Sequence, residues 1–180
     1  MPDREYQPER LKSLFHFVIG AAGANPGFGA TKLYKVAWFS DAKSFLVRGK
    51  SITGETYIRR EHGPVPYHAD KVRSDLVAIG AITATRPKSE YEGWRFRSAR
   101  PANTSMFSPE ELQTIRYWTK VIDEEHTAAS ISDVSHDYGW DIAEMYENLP
   151  MHAFLAERVR EPTDEEFDRI SQRARQLGIL

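Results

Sequence analysis

Residues 31–49 read TKLYKVAWFSDAKSFLVRG, a helix-length stretch with bulky side chains on several of its faces. Leu33, Tyr34, Val36, Trp38, Phe39, Phe45 and Leu46 spread around the 3.6-residue turn instead of gathering in one stripe. A helix with so much apolar surface is stable when other elements surround it. The spacing therefore predicts the central helix of a small bundle. Gly49 follows the last helical residue and supplies a C-terminal stop.

Upstream, Leu11, Leu14, Phe15, Val18 and Ala22 recur at helical spacing, which predicts a helix over 8–22 with one apolar face. GANPGFG at 23–29 breaks it. Downstream, ETYIRR at 55–60 predicts a short strand or extended arm running into EHGPVPYHAD at 61–70. Pro64 and Pro66 fix φ and lack N–H groups, so His62, Gly63 and Val65 are expected outside any regular ladder or helix interior. Pro66 suits the start of a helix over 67–79, with Val72, Leu76 and Ile79 inward and Gly80 ending it. ITATR and WRFRS alternate on either side of PKSEYEG, which predicts a β-hairpin within 81–101.

Ser108-Pro109-Glu110-Glu111 carries a capping box and predicts a helix through Ile122, ending near Glu125. Ser132 is expected to cap a shorter segment through Trp140, with a further helical turn or two over 141–147. A second capping box at Thr163–Glu166 predicts an exposed last helix to Leu177. The expected fold is mainly α with a small β-hairpin (α+β). It comprises a compact helical domain over 8–158 and a C-terminal helical appendage over 159–180.

The 180-residue chain has 41% hydrophobic residues, 12% of the total being aromatic, enough apolar surface for a true core. Its 24 basic and 26 acidic residues leave a formal charge of -2, so no global field draws it to nucleic acid or membrane. The most apolar stretch, 14–24, falls short of the ~20 apolar residues a membrane span needs. The charged MPDREYQPERLK start is unlike a secretory signal. With no cysteine, disulfides, thiolate catalysis and zinc–cysteine sites are excluded, and a soluble, cytoplasmic protein is expected.

Catalytic patterns are absent. The six histidines (His16, His62, His68, His126, His136 and His152) have no His-x3-His spacing and read as structural or surface residues. Ser135, His136 and Asp137 are consecutive, whereas the members of a triad meet across a fold. GANPGFGATK lacks the order of a phosphate-binding loop. No cofactor and no metal site are expected. One nucleic-acid reading does arise. Arg86, Lys88, Arg95, Arg97 and Arg100 against Glu90 and Glu92 give the hairpin a local charge of +3, with Tyr91, Trp94 and Phe96 interleaved. That could be a basic wing gripping phosphates, in a helix–helix–hairpin order similar to winged-helix modules. The plainer reading is one aromatic face on the core and arginines in water.

TKLYKVAWFSDAKSFLVRGKSITGETYIRREHGPVPYH resembles the signature region of the Panacea domain, the SocA-like antitoxin family. The residues carrying the likeness are Lys32, Leu33, Lys35, Trp38, Phe39, Gly49, Gly63, Pro64, Val65 and Pro66. SISDVSHDYGWDIA looks like the family's second motif, through Ile131, Ser132, Ser135, His136 and Trp140. The likeness runs from about Arg10 to Phe154, and His62 stands where many relatives carry an aromatic residue. It implies an antitoxin without catalytic residues, from bacteria, phages or a mobile element. Such an antitoxin neutralises a cognate toxin encoded nearby by direct protein–protein binding. The SocA branch also implies a second partner, an ATP-dependent protease to which the toxin is presented.

The two prolines stiffen HGPVP, which lowers the ordering cost of any contact it makes. Candidate partner-binding residues are Tyr57, Arg59, Arg60, His62, Gly63, Pro64, Val65, Pro66 and Tyr67, with Trp94 on the hairpin edge. The alternative function is a winged-helix-like nucleic-acid-binding regulator using the hairpin 81–101.

Overall fold

The computed structural model describes residues 5–86, 93–152, 172 and 175. The expected appendage over 159–180 therefore lies outside the described residues apart from those last two positions, and so does most of the hairpin turn. Six helices and five short strands are described: α1 (Pro8–Ala22), α2 (Ala30–Arg48), β1 (Tyr57–Arg60), β2 (Gly63–Pro66), α3 (Ala69–Ala78), β3 (Ile82–Thr85), β4 (Arg95–Ser98), α4 (Pro109–Glu125), α5 (Ala128–Val134), α6 (Tyr138–Ile142) and β5 (Asn148–Leu149). The fold is mainly helical α+β, as the sequence predicts.

Helix α2 is the hub. It packs against α1, α4, α5 and β2, and it buries Leu33, Val36, Ala37, Trp38, Phe39 and Ala42. Each large apolar side chain fully withdrawn from water there contributes about 1.5–3 kcal/mol. Gly49 adopts φ 70 after its last turn, the left-handed conformation that glycine takes without a Cβ clash. Helix α1 supplies the expected face, with Leu11, Leu14, Phe15, Val18 and Ala22 all buried. Helix α4 begins with the complete capping box, Ser108 and Glu111 each satisfying the other's backbone N–H.

Three expectations are corrected. First, Gly63, Pro64, Val65 and Pro66 do sit in a ladder: β2 pairs antiparallel with β1 in the register Tyr57↔Pro66 to Arg60↔Gly63. Both prolines fit because β2 is the edge of the sheet β2-β1-β5, and the Pro64 carbonyl faces away from β1 toward Lys35. In a strand the N and C=O of one residue point the same way, so the missing proline N–H groups fall on the unpaired side. Second, the following helix starts at Ala69 rather than Tyr67, and Ile79 is exposed while Val72 and Leu76 are buried. Third, Ser132 lies inside a helix instead of capping one. Thr127 caps α5 and Asp137 caps α6, and residues 143–147 leave the helix to reach β5. The second, two-stranded sheet is the expected hairpin, β3 with β4 from Ile82↔Ser98 to Thr85↔Arg95.

Candidate functional site

The two sequence motifs, some seventy residues apart in the chain, pack against each other around Gly63. Gly63 has φ 89, and a Cβ built there would lie 2.3 Å from Ser135 Oγ and 2.7 Å from Lys35 Nζ. Only glycine admits the turn and lets α2, β2 and α5 close to this distance. Lys35 is buried, and its ammonium donates to the Pro64 carbonyl at 2.9 Å. Burial pulls its pKa down to about 7. Ser135, equally buried, donates to the Ser132 carbonyl at 2.7 Å.

The next residues of the second motif grip β1 from its other side. His136 and Trp140 stack at 3.7 Å between ring centres, and the Arg59 guanidinium lies 4.2 Å over the Trp140 ring. Arg59 also donates to the Ala143 carbonyl at 2.6 Å, and Trp140 Nε1 donates to the Arg60 carbonyl at 3.0 Å. Burial, and then the nearby Lys35 charge, lowers the His136 pKa. Backbone bonds complete the grip: Tyr146 N to Arg59 O and Arg59 N to Glu147 O, both 2.9 Å.

Behind β1 the core is polar in one place. Asp41, fully buried on α2, accepts from Tyr57 OH at 2.8 Å, Thr53 Oγ1 at 2.5 Å, Ile52 N at 2.7 Å and Thr53 N at 2.9 Å. Burial pushes its carboxyl up to about 6, and the four donors oppose that rise. Glu55 is raised by burial as well and pairs with His68 at 3.0 Å. Asp41 is enclosed by its own partners, and Glu55 is buried against the half-buried His68.

The ten candidate contact residues divide by exposure. Tyr57, Gly63, Pro64 and Pro66 are buried and present no side-chain surface to a partner. Arg59, Val65 and Trp94 are half-buried, and Arg59 is held by the contacts above. Arg60, His62 and Tyr67 are exposed. Trp94 does not stand free on the hairpin, because Arg73 lies 4.1 Å from its ring centre and its carbonyl accepts from Ala30 N at 3.1 Å. Among the hairpin arginines, Arg97 donates to the Gly23 carbonyl and Arg100 to the Ile79 carbonyl, while Phe96 is in the core. That is the aromatic-in arrangement.

Beside the junction lies a cleft of about 560 Å³ between the 23–29 loop, the β1–β2 turn and α5, lined among others by Glu61, His62, Arg95, Asp133 and His136. The sequence reading missed two features. One is the buried anchoring of Lys35 and Asp41. The other is a run of exposed apolar side chains after Ser132: Val134, Tyr138, Ile142, Met145 and Tyr146. No described helix is long and apolar enough to cross a membrane.

The family model for the SocA-like antitoxin, Panacea domain, matches residues 33–141, more than half of the chain, from α2 to α6 and across both motifs. No curated protein and no solved structure matches the chain. The two motifs read in the sequence, the packed junction they form and the span of the match agree: this chain belongs to the SocA-like antitoxin, Panacea domain family.

Proposed function

We propose that this protein is the antitoxin of a toxin–antitoxin pair and neutralises a cognate toxin encoded beside it by direct binding in the cytoplasm. The observation that carries the reading is the family membership, spanning both motifs of the packed junction. The junction supports a scaffolding role for HGPVP, since its buried residues fix β2 against α2 and α5 and leave Arg60, His62 and Tyr67 outward. We place toxin contact on those three side chains, with Trp94 at a secondary edge. Presentation of the toxin to an ATP-dependent protease is part of the same proposal.

The test is growth of a host expressing the neighbouring open reading frame with and without this protein. Arrest by the neighbour alone, rescue by co-expression and co-purification of the two support the reading. A toxin half-life that shortens only when this chain is present supports the protease arm. A harmless neighbour, or arrest that co-expression leaves untouched, overturns neutralisation of that neighbour. Salt-dependent binding of duplex DNA, lost in Arg95→Ala plus Arg97→Ala, would instead favour the nucleic-acid regulator.

A further inference from the structure

Between Asp133 and Glu147 the chain carries five acidic residues and no lysine or arginine. Asp137 is buried as the α6 cap, whereas Asp133, Asp141, Glu144 and Glu147 are exposed. None of these four belongs to a salt bridge among the described residues. Interspersed with them are Val134, Tyr138, Ile142, Met145 and Tyr146, each between 47% and 64% exposed. Tyr138 and Ile142 are four apart on α6 and so share one face. Tyr146 has φ 71, a strained conformation for a side-chain-bearing residue, and the β1 contacts hold it there. The neighbouring cations are engaged: Arg59 with Trp140 and the Ala143 carbonyl, Arg60 over the Tyr146 ring at 4.6 Å.

Large apolar side chains rimmed by charge mark a protein-binding surface. Apart from the Arg60 cation at its Tyr146 end, the charge along 133–147 is acidic, and that selects what can sit on it. It repels nucleic acid, anionic lipid and a second copy of itself, and it attracts a cationic face. We infer that the 133–147 strap is a docking surface for a partner protein whose contact face has an apolar centre and a lysine- or arginine-rich rim. If the antitoxin reading holds, that partner is the toxin and the strap extends the contact surface from Arg60, which lies over Tyr146, so the inference deepens that reading and rests on it for the partner's identity only.

The test needs no toxin. A helical peptide of leucine and lysine, and its leucine–glutamate counterpart, are titrated into the full-length isotope-labelled protein while amide shifts are followed. The expected result is shifts centred on 133–147 with the lysine peptide only. Affinity should fall roughly tenfold or more between about 0.05 and 0.5 M salt. It should fall comparably in Asp141→Lys plus Glu144→Lys, and also in Ile142→Ser. These positions are exposed, and an unchanged melting curve confirms that each variant is folded. No shifts, shifts elsewhere, or equal binding of both peptides overturns the inference. So does occupancy by the chain's own residues 169–177, seen as coupled shifts in that segment when Asp141 is reversed. Concentration-dependent self-association through the strap does the same. In the growth assay, a variant that no longer binds the lysine peptide but still rescues as well as wild type overturns the toxin as the strap's partner and leaves the antitoxin reading intact. Peptide binding without any rescue by wild type leaves the strap standing and removes the toxin.

Discussion

At the scale of single residues, Gly63 and Lys35 show why a short motif can be rigid about its composition. Gly63→Ala meets both a positive φ and two side chains inside contact distance. The loss expected is on the order of 2–4 kcal/mol, read as a lowered unfolding midpoint in denaturant. Ser135→Ala removes the nearer atom and should restore part of that loss in the double variant. Equal midpoints for Gly63→Ala and wild type would sink this account of the junction. Lys35 gives a pH signature. Its folded pKa, about 7, lies below the ordinary lysine value of 10.5. The unfolded chain therefore binds the extra proton between those two values, and stability rises with pH across that window. Lys35→Met carries no such proton, so its stability should stay flatter from pH 7 to 10, the difference being on the order of 2–3 kcal/mol. Parallel profiles for the two proteins would show that Lys35 titrates normally.

At the scale of elements, what the sequence made legible was periodicity and capping. Helices α1, α2 and α4 were readable because their apolar positions, Gly49 and the Ser108–Glu111 box are local signals that tertiary packing reinforces. The β2 strand was not, because whether two prolines break a ladder depends on which side of the strand is unpaired, a property of the sheet and not of the segment. The α5–α6 region failed for a related reason. Thr127, Ser132 and Asp137 are all credible caps, and only packing selects among them. The α4 start also shows a long-range tie invisible in sequence. Arg10 on α1 donates to the buried Glu111 Oε2 at 2.6 Å, to the buried Ile52 carbonyl at 2.5 Å and to the carbonyl of half-buried Met106. Arg10→Met leaves Glu111 buried without that partner, and about 3–5 kcal/mol of lost stability is expected. Arg10→Met plus Glu111→Gln should lose less. A double variant no better than the single would show that the carbonyl contacts, not the ion pair, carry the effect.

For the whole molecule, two kinds of cohesion coexist. The α1–α2–α4 bundle is held by large apolar burial, whereas the 137–149 segment is held to β1 by a cation–π contact and a handful of hydrogen bonds. The candidate site was legible only in part for this reason. HGPVP announced a special backbone, but whether it faces a partner or the core is decided by α2 packing on β2 and by Ser135 closing on Gly63, and exposure cannot be read from a motif. The difference in cohesion predicts a hierarchy of opening, since segments with few buried apolar contacts exchange through local rather than global unfolding. In native-state hydrogen exchange the Tyr146 and Arg59 amides should open well below the free energy of global unfolding, while Phe15 and Val36 open only with it. Arg59→Ala removes both the Trp140 contact and the bond to Ala143. It should speed exchange across 143–149 by about tenfold and shift the global midpoint little. If the strap amides in wild type exchange only on global unfolding, the strap is an integral part of the bundle core, and its apolar side chains are presented from a surface as rigid as the helices beneath it.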